Sequence, residues 1–203
     1  MHGAMSAKFA SIQALRDNVV GGATQEYMDR MYQKIPDDIP TVKDRAAYLI
    51  EKSKDKIVLD IGCTGLISQA MRKVAKGYYG IDKVAADGVE ACNLDYRPDR
   101  MPVHADVDTI VCAETLEHLS NPGYFLLALR KLYPGRLTYF TVPNAGAYIV
   151  KDGCEVVNKD HVCWYSYATL RTLFTRHGLE IKESRWYNGQ PYNAEGIIVV
   201  TQT

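Results

Sequence analysis

The sequence predicts an α/β fold, a mostly parallel sheet with helices on both faces. Three observations point to it. After about Ser53, apolar runs short enough for strands alternate with stretches of helical period. The first of these runs, IVLDI, is almost continuously apolar, as a strand buried on both faces must be, and passes straight into a glycine turn and a helix. Successive runs also end in polar residues: Asp60, then Asp82, then Asn93 and Asp95, then Glu114 through His118.

From Ser6 to about Ser53 the pattern is polar-rich and helical in period, interrupted at Gly21-Gly22 and from Pro36 to Pro40. It reads as an N-terminal helical extension or lid over residues 1–53. The first strand runs from Lys56 to Ile61 and its helix from about Leu66 to Ala75. Gly77 to Ile81 forms the second strand, closed by Asp82. Val89 to Leu94 forms the third, closed by Asp95. The 83–88 connection is short for a parallel crossover, so no full helix is expected there.

Val107 to Ala113 is the fourth strand and Pro122 to Tyr133 the helix after it, ended by Pro134-Gly135. Arg136 to Val142 is the fifth. Ser166 caps a helix from Tyr167 to His177, stopped by Gly178. Two strands, Leu179 to Tyr187 and Gly196 to Gln202, follow with no helix between them, so they pair antiparallel or are joined by an irregular loop.

A chain of 203 residues fills one core and is short for two. Lys plus Arg and Asp plus Glu each number 24, so no broad positive field draws the chain to nucleic acid or anionic lipid; a small-molecule partner is expected. Cys63, Cys92, Cys112, Cys154 and Cys163 are odd in number and lack a CxxC pair, which suits reduced thiols in a cytoplasmic protein. No segment approaches bilayer-spanning length. The opening residues offer a second candidate start at Met5. Oligomeric state is not legible.

In an open parallel sheet, ligands bind beyond the carboxyl ends of the strands. Gly62 and Gly65 let a ligand approach the backbone, and Asp82 follows at the distance where an acid can accept from a ribose diol. Two nucleoside ligands compete, a dinucleotide and S-adenosylmethionine. The dinucleotide fingerprint needs glycine where this chain has Thr64 and Ile67. A ligand without a pyrophosphate has no use for that anion cradle.

VLDIGC (58–63), YGID (79–82), CNLD (92–95), ETLEHLSNP (114–122), TVPN (141–144) and HVCWYS (161–166) together resemble the class I S-adenosylmethionine-dependent methyltransferases. Within them the chain is most similar to the small-molecule, UbiG-like and methyltransferase-23-like branch, from about Val42 onward. The resemblance implies a Rossmann-like αβα sandwich with seven strands in the order 3-2-1-4-5-7-6, strand 7 antiparallel, over residues 54–203. It implies S-adenosylmethionine as cofactor and methyl transfer to oxygen or nitrogen of a small acceptor, a sugar or another biosynthetic intermediate. Asp60, Gly62, Cys63 and Gly65 would face its methionine half and Asp82 its ribose. Lys83, Asn93, Leu94 and Asp95 would lie near adenine, and Glu114 beside the bound cofactor.

The usual family turn is G-x-G-x-G, whereas here Gly62 is followed by Thr64, Gly65 and Leu66. A second reading therefore stands beside the enzyme: a non-catalytic relative that binds a nucleoside or a protein. Methyl transfer is an in-line displacement, so alignment matters most and a base is optional. His118 and His161 are the candidates for taking a proton from an acceptor hydroxyl, each against a plain structural role in a turn or loop. Glu117 reads as an exposed or capping charge. His161 with Cys154 and Cys163 lacks a fourth ligand and paired spacing, so no metal is expected. Trp164, Tyr165 and Tyr167 suit either a substrate wall or the core. Tyr27, Met28, Met31 and Tyr32 suit either a lid over the pocket or helix packing.

Overall fold

The computed structural model describes residues 38–145, 158–189 and 194–203. Most of the N-terminal helical reading, including Tyr27, Met28, Met31 and Tyr32, lies outside the described residues, as does Cys154. In chain order the elements are β1 (Thr41–Val42), α1 (Arg45–Ser53), β2 (Ile57–Ile61), α2 (Leu66–Val74), β3 (Gly77–Asp82), β4 (Val89–Ala91), β5 (Thr109–Ala113), α3 (Pro122–Leu132), β6 (Leu137–Pro143), α4 (Tyr167–Arg176), β7 (Glu180–Tyr187) and β8 (Gly196–Gln202).

The strands form one sheet in the order β1-β7-β8-β6-β5-β2-β3-β4. Read from β4 to β7, this is the expected 3-2-1-4-5-7-6 order. β8 is antiparallel to both β6 and β7, and β2 through β6 run parallel. The sheet has eight strands rather than seven. The extra one, β1, adds to the edge by pairing Thr41 with Trp186 and Val42 with Tyr187. It follows Pro40, which lacks the N–H a helix needs. β1 and α1, grouped by the sequence with the N-terminal extension, are thus bonded to and packed on the sheet.

Alternation of side chains across the pleat divides the core in two. On one face Val58, Val111 and Tyr139 meet Leu49 of α1 and Met71 of α2. On the other, Leu59, Ile110, Cys112 and Phe140 meet Phe125, Leu126 and Leu129 of α3 and Leu170 and Phe174 of α4. Three layers result, with the carboxyl ends of β2, β3, β4 and β5 along one edge.

The helix starts follow their sequence signals. Asp44 accepts from Ala47 N–H, Asn121 from Tyr124 N–H, and Ser166 from Thr169 N–H, while Thr169 Oγ1 accepts in return from Ser166 N–H. Ser166→Ala removes this capping box and is expected to cost about 1 kcal/mol. A lower urea midpoint at unchanged slope would show it; an unmoved midpoint would mean the cap contributes nothing.

The third strand stops at Ala91 rather than Leu94. Asn93 bends the chain there: its Oδ1 accepts from Asp95 N–H at 3.1 Å and its carbonyl from Arg97 N–H at 2.9 Å. The connection before β4 carries no helix, as expected. No described helix is long and apolar enough to cross a membrane.

Candidate active site

A cavity of about 600 Å³ opens at the carboxyl ends of β2 to β5. Of the predicted residues, Gly62, Asp82, Lys83, Asn93, Leu94, Asp95, Glu114 and His118 line it. Thr64, read as a departure from the family's glycine turn, and Thr115 of ETLEHLSNP also line it, as do Lys159 and Asp160, which were not singled out in the sequence.

Asp60, Cys63 and Gly65 are placed differently. Asp60 is 2% exposed, and its Oδ2 accepts from Tyr78 O–H at 2.6 Å. Burial raises its pKa above the usual carboxylate value, and the Tyr78 bond works against that rise. Cys63 and Gly65 line a separate cavity of about 290 Å³ with Arg72 and Tyr78. Burial, then the charges of Asp60 and Asp82, push the Cys63 thiol up to about 11, so it stays protonated at neutral pH.

Gly62 is required by packing as well as by any ligand. Its φ is +78°, and a Cβ there would stand 2.1 Å from Thr115 Oγ1. That hydroxyl donates within bonding distance of both Ile61 O and Ala113 O, 3.1 Å each, tying the ends of β2 and β5 together.

Glu114 follows β5 in the left-handed region, φ +50°, an uncommon conformation for a non-glycine residue. Its Oε1 accepts from Thr141 O–H at 2.9 Å and Tyr187 O–H at 3.0 Å, and pairs with Arg45 at 2.7 Å. Arg45 and Tyr187 carried no local signal, because α1 and β7 bring them in from distant parts of the chain.

Glu117 corrects the sequence reading. It is 1% exposed, not a surface charge, and neither carboxylate oxygen has a hydrogen-bond partner. Burial, reinforced by the Glu114 charge, pushes its pKa up to about 8. Its carbonyl accepts from Val162 N–H at 2.8 Å and Cys163 N–H at 3.0 Å, clamping the 158–165 segment to the Leu116–His118 turn. His118 and His161 therefore meet, ring centroids 4.7 Å apart. His118 Nδ1 lies 3.0 Å from Asp160 O and His161 Nε2 3.1 Å from Asn158 Nδ2, while His161 Nδ1 is buried without a partner. Burial, then the neighbouring His118, lowers the His161 pKa.

Donor atoms of Glu117, His118 and His161 lie within 4.8 Å of one another, a different trio from the one weighed in the sequence. Tyr165 and Tyr167 are core residues, 6% and 7% exposed. The four described cysteines, Cys63, Cys92, Cys112 and Cys163, are free thiols.

The comparisons with known proteins agree with this architecture. A family model described as a methyltransferase domain matches residues 26–184, well over half of the chain. The chain belongs to that family. Its members are class I S-adenosylmethionine-dependent methyltransferases. Among curated relatives, the ubiquinone biosynthesis O-methyltransferase of Pectobacterium atrosepticum is 28% identical, over 51% of this chain and 50% of that protein. The enzyme of the same name from Thiobacillus denitrificans is 29% identical, over 68% of this chain and 69% of that protein. The chain thus spans about half the length of the first of these relatives. Among solved structures, the 1,6-didemethyltoxoflavin-N1-methyltransferase of Burkholderia thailandensis, with 1,6-didemethyltoxoflavin and S-adenosylhomocysteine bound, aligns with a TM-score of 0.57 at 13% identity, covering 97% of this chain and 89% of that one. At that identity the likeness carries the fold alone.

S-adenosylmethionine is the cofactor of the methyltransferase family, and the residues present suit it. Four carboxylates, Asp82, Asp95, Glu114 and Asp160, line the cavity against two lysines, Lys83 and Lys159, a balance that favours a cationic ligand. The Asp82 carboxylate accepts one bond, from Lys83 N–H, and keeps lone pairs for a diol. Cys92 and Leu94, each 7% exposed, offer an apolar surface to a flat base.

Proposed function

We propose that this chain transfers a methyl group from S-adenosylmethionine to an oxygen of a small, hydroxyl-bearing acceptor. What supports the reading is one cavity with two chemically different ends. Asp82, Asn93, Leu94 and Asp95 suit the nucleoside, and His118 of the Leu116–His118 turn suits the acceptor. The relatives named as O-methyltransferases favour oxygen over nitrogen.

The chain's work is alignment and control of a proton. Arg45, Tyr187 and Thr141, all bonded to Glu114, fix the wall after β5, and the clamp through the Glu117 carbonyl fixes the histidine pair. Holding donor and acceptor in attack geometry supplies roughly 7 to 11 kcal/mol of the barrier. The histidine pair promotes loss of the acceptor's proton as the new bond forms.

A transfer screen over sugars, phenols, amines and carboxylates, read by mass, tests this. A hydroxyl compound should gain one methyl group. His118→Ala and His161→Ala should each lower kcat on it by roughly 100-fold. Methylation confined to amines would contradict the oxygen assignment. Full activity in both variants would contradict the role of the histidine pair and leave the cofactor assignment standing.

A further inference from the structure

We infer that Tyr187 is a positioning residue for cofactor binding: its hydroxyl sets the Glu114 carboxylate at the cavity wall, and Gly196 leaves the space through which its ring reaches that wall. This rests on the cofactor assignment and is independent of the acceptor's identity.

Tyr187 ends β7, and both β8 and β6 lie between β7 and β5 in the sheet. Its partner on β8 is Gly196. A Cβ on Gly196 would stand 2.1 Å from both Cζ and the hydroxyl oxygen of Tyr187, so the ring fills the place that a side chain would take. Glycine inside a strand commonly marks such a close approach. Having crossed β8 there, the tyrosine hydroxyl donates to Glu114 Oε1 at 3.0 Å, just beyond the end of β5. Burial, then the Glu114 charge, raise the Tyr187 pKa, so the hydroxyl keeps its proton and remains a donor.

Glu114 needs such support. Its left-handed backbone, φ +50°, persists only where the surroundings over-determine it. Its N–H donates to Thr141 O at 2.9 Å. Thr141 O–H, Tyr187 O–H and the Arg45 guanidinium then converge on Oε1, while among the described residues no hydrogen bond reaches Oε2. One oxygen is tied down and the other is left for a ligand, in a residue that lines the cavity. S-adenosylmethionine carries two cations, an ammonium and a sulfonium, that a carboxylate held in this way favours. Without the tyrosine hydroxyl the carboxylate regains freedom that binding must remove again, and affinity falls.

Calorimetry with S-adenosylhomocysteine, which keeps the ammonium, tests this on the full chain without any acceptor. Tyr187→Phe keeps the ring over Gly196 and removes only the hydroxyl; it should raise Kd about tenfold, with far-UV circular dichroism unchanged. In a Glu114→Ala background the same substitution should change Kd less than twofold, because it acts through that carboxylate. An effect of Tyr187 on packing alone would be the same in both backgrounds. Amide hydrogen exchange on the ligand-free chain gives a second readout: Tyr187→Phe should speed exchange at the Glu114 N–H about tenfold and leave Cys112, in the middle of β5, unchanged. An unchanged Kd in folded Tyr187→Phe, equal losses in the two backgrounds, or unchanged exchange at Glu114 would each overturn the role of Tyr187 and leave the cofactor assignment standing. No binding to the wild type would overturn both.

Discussion

Replacing Asp82 with alanine is expected to raise the Kd for S-adenosylhomocysteine by roughly 100- to 10,000-fold. The magnitude follows from two charge-assisted hydrogen bonds to the ribose diol, each about 1.5 to 3 kcal/mol. Asp82 ends β3, is partly exposed, and makes its hydrogen bond to the adjacent Lys83 N–H rather than to a distant element. The fold should therefore tolerate the loss. Isothermal titration calorimetry on the wild type and Asp82→Ala, with circular dichroism as the folding control, separates binding from stability. A change smaller than tenfold would remove Asp82 from the ribose.

Gly62→Ala is expected to destabilise the chain by about 2 to 5 kcal/mol. The left-handed backbone at φ +78° costs an alanine about 1 to 2 kcal/mol. The rest comes from overpacking, about 1 to 3 kcal/mol, because the new methyl would stand 2.1 Å from Thr115 Oγ1. Thr115→Ala removes that atom at the expense of its two bonding options to Ile61 O and Ala113 O. In urea denaturation the double variant should be less destabilised than the sum of the two single ones. Strict additivity would mean that Thr115 is not what excludes a side chain at position 62.

The difference between these residues shows what the sequence can and cannot disclose. β2 was legible because burial on both faces makes it a continuous apolar run, and Asp82 because its spacing from the glycine turn is local. The antiparallel end of the sheet was foreshadowed by the missing helix between the last two strands. β1 was not legible: two residues, Thr41 and Val42, become a strand only because Trp186 and Tyr187 lie beside them. Gly62 was read as making room for a ligand, whereas its nearest constraint is a side chain on the neighbouring strand's end.

Glu117 is the strongest case. In ETLEHL its charge reads as exposed or capping, whereas in the fold it is 1% exposed and its carbonyl is bonded to the 158–165 segment. The same segment brings His161 to His118, so the trio exists in space and not in spacing. Arg45 and Tyr187 reach Glu114 by the same route, from opposite ends of the described chain. Residues that a single turn positions can be found by pattern. Residues that two distant segments position together cannot.

The central claim is that the cavity beyond β2 to β5 holds S-adenosylmethionine. Calorimetric titration of the full chain with S-adenosylhomocysteine tests it most directly. The expected result is one equivalent bound with a Kd well below millimolar, stronger than about −4 kcal/mol. No saturable binding at millimolar ligand would contradict it.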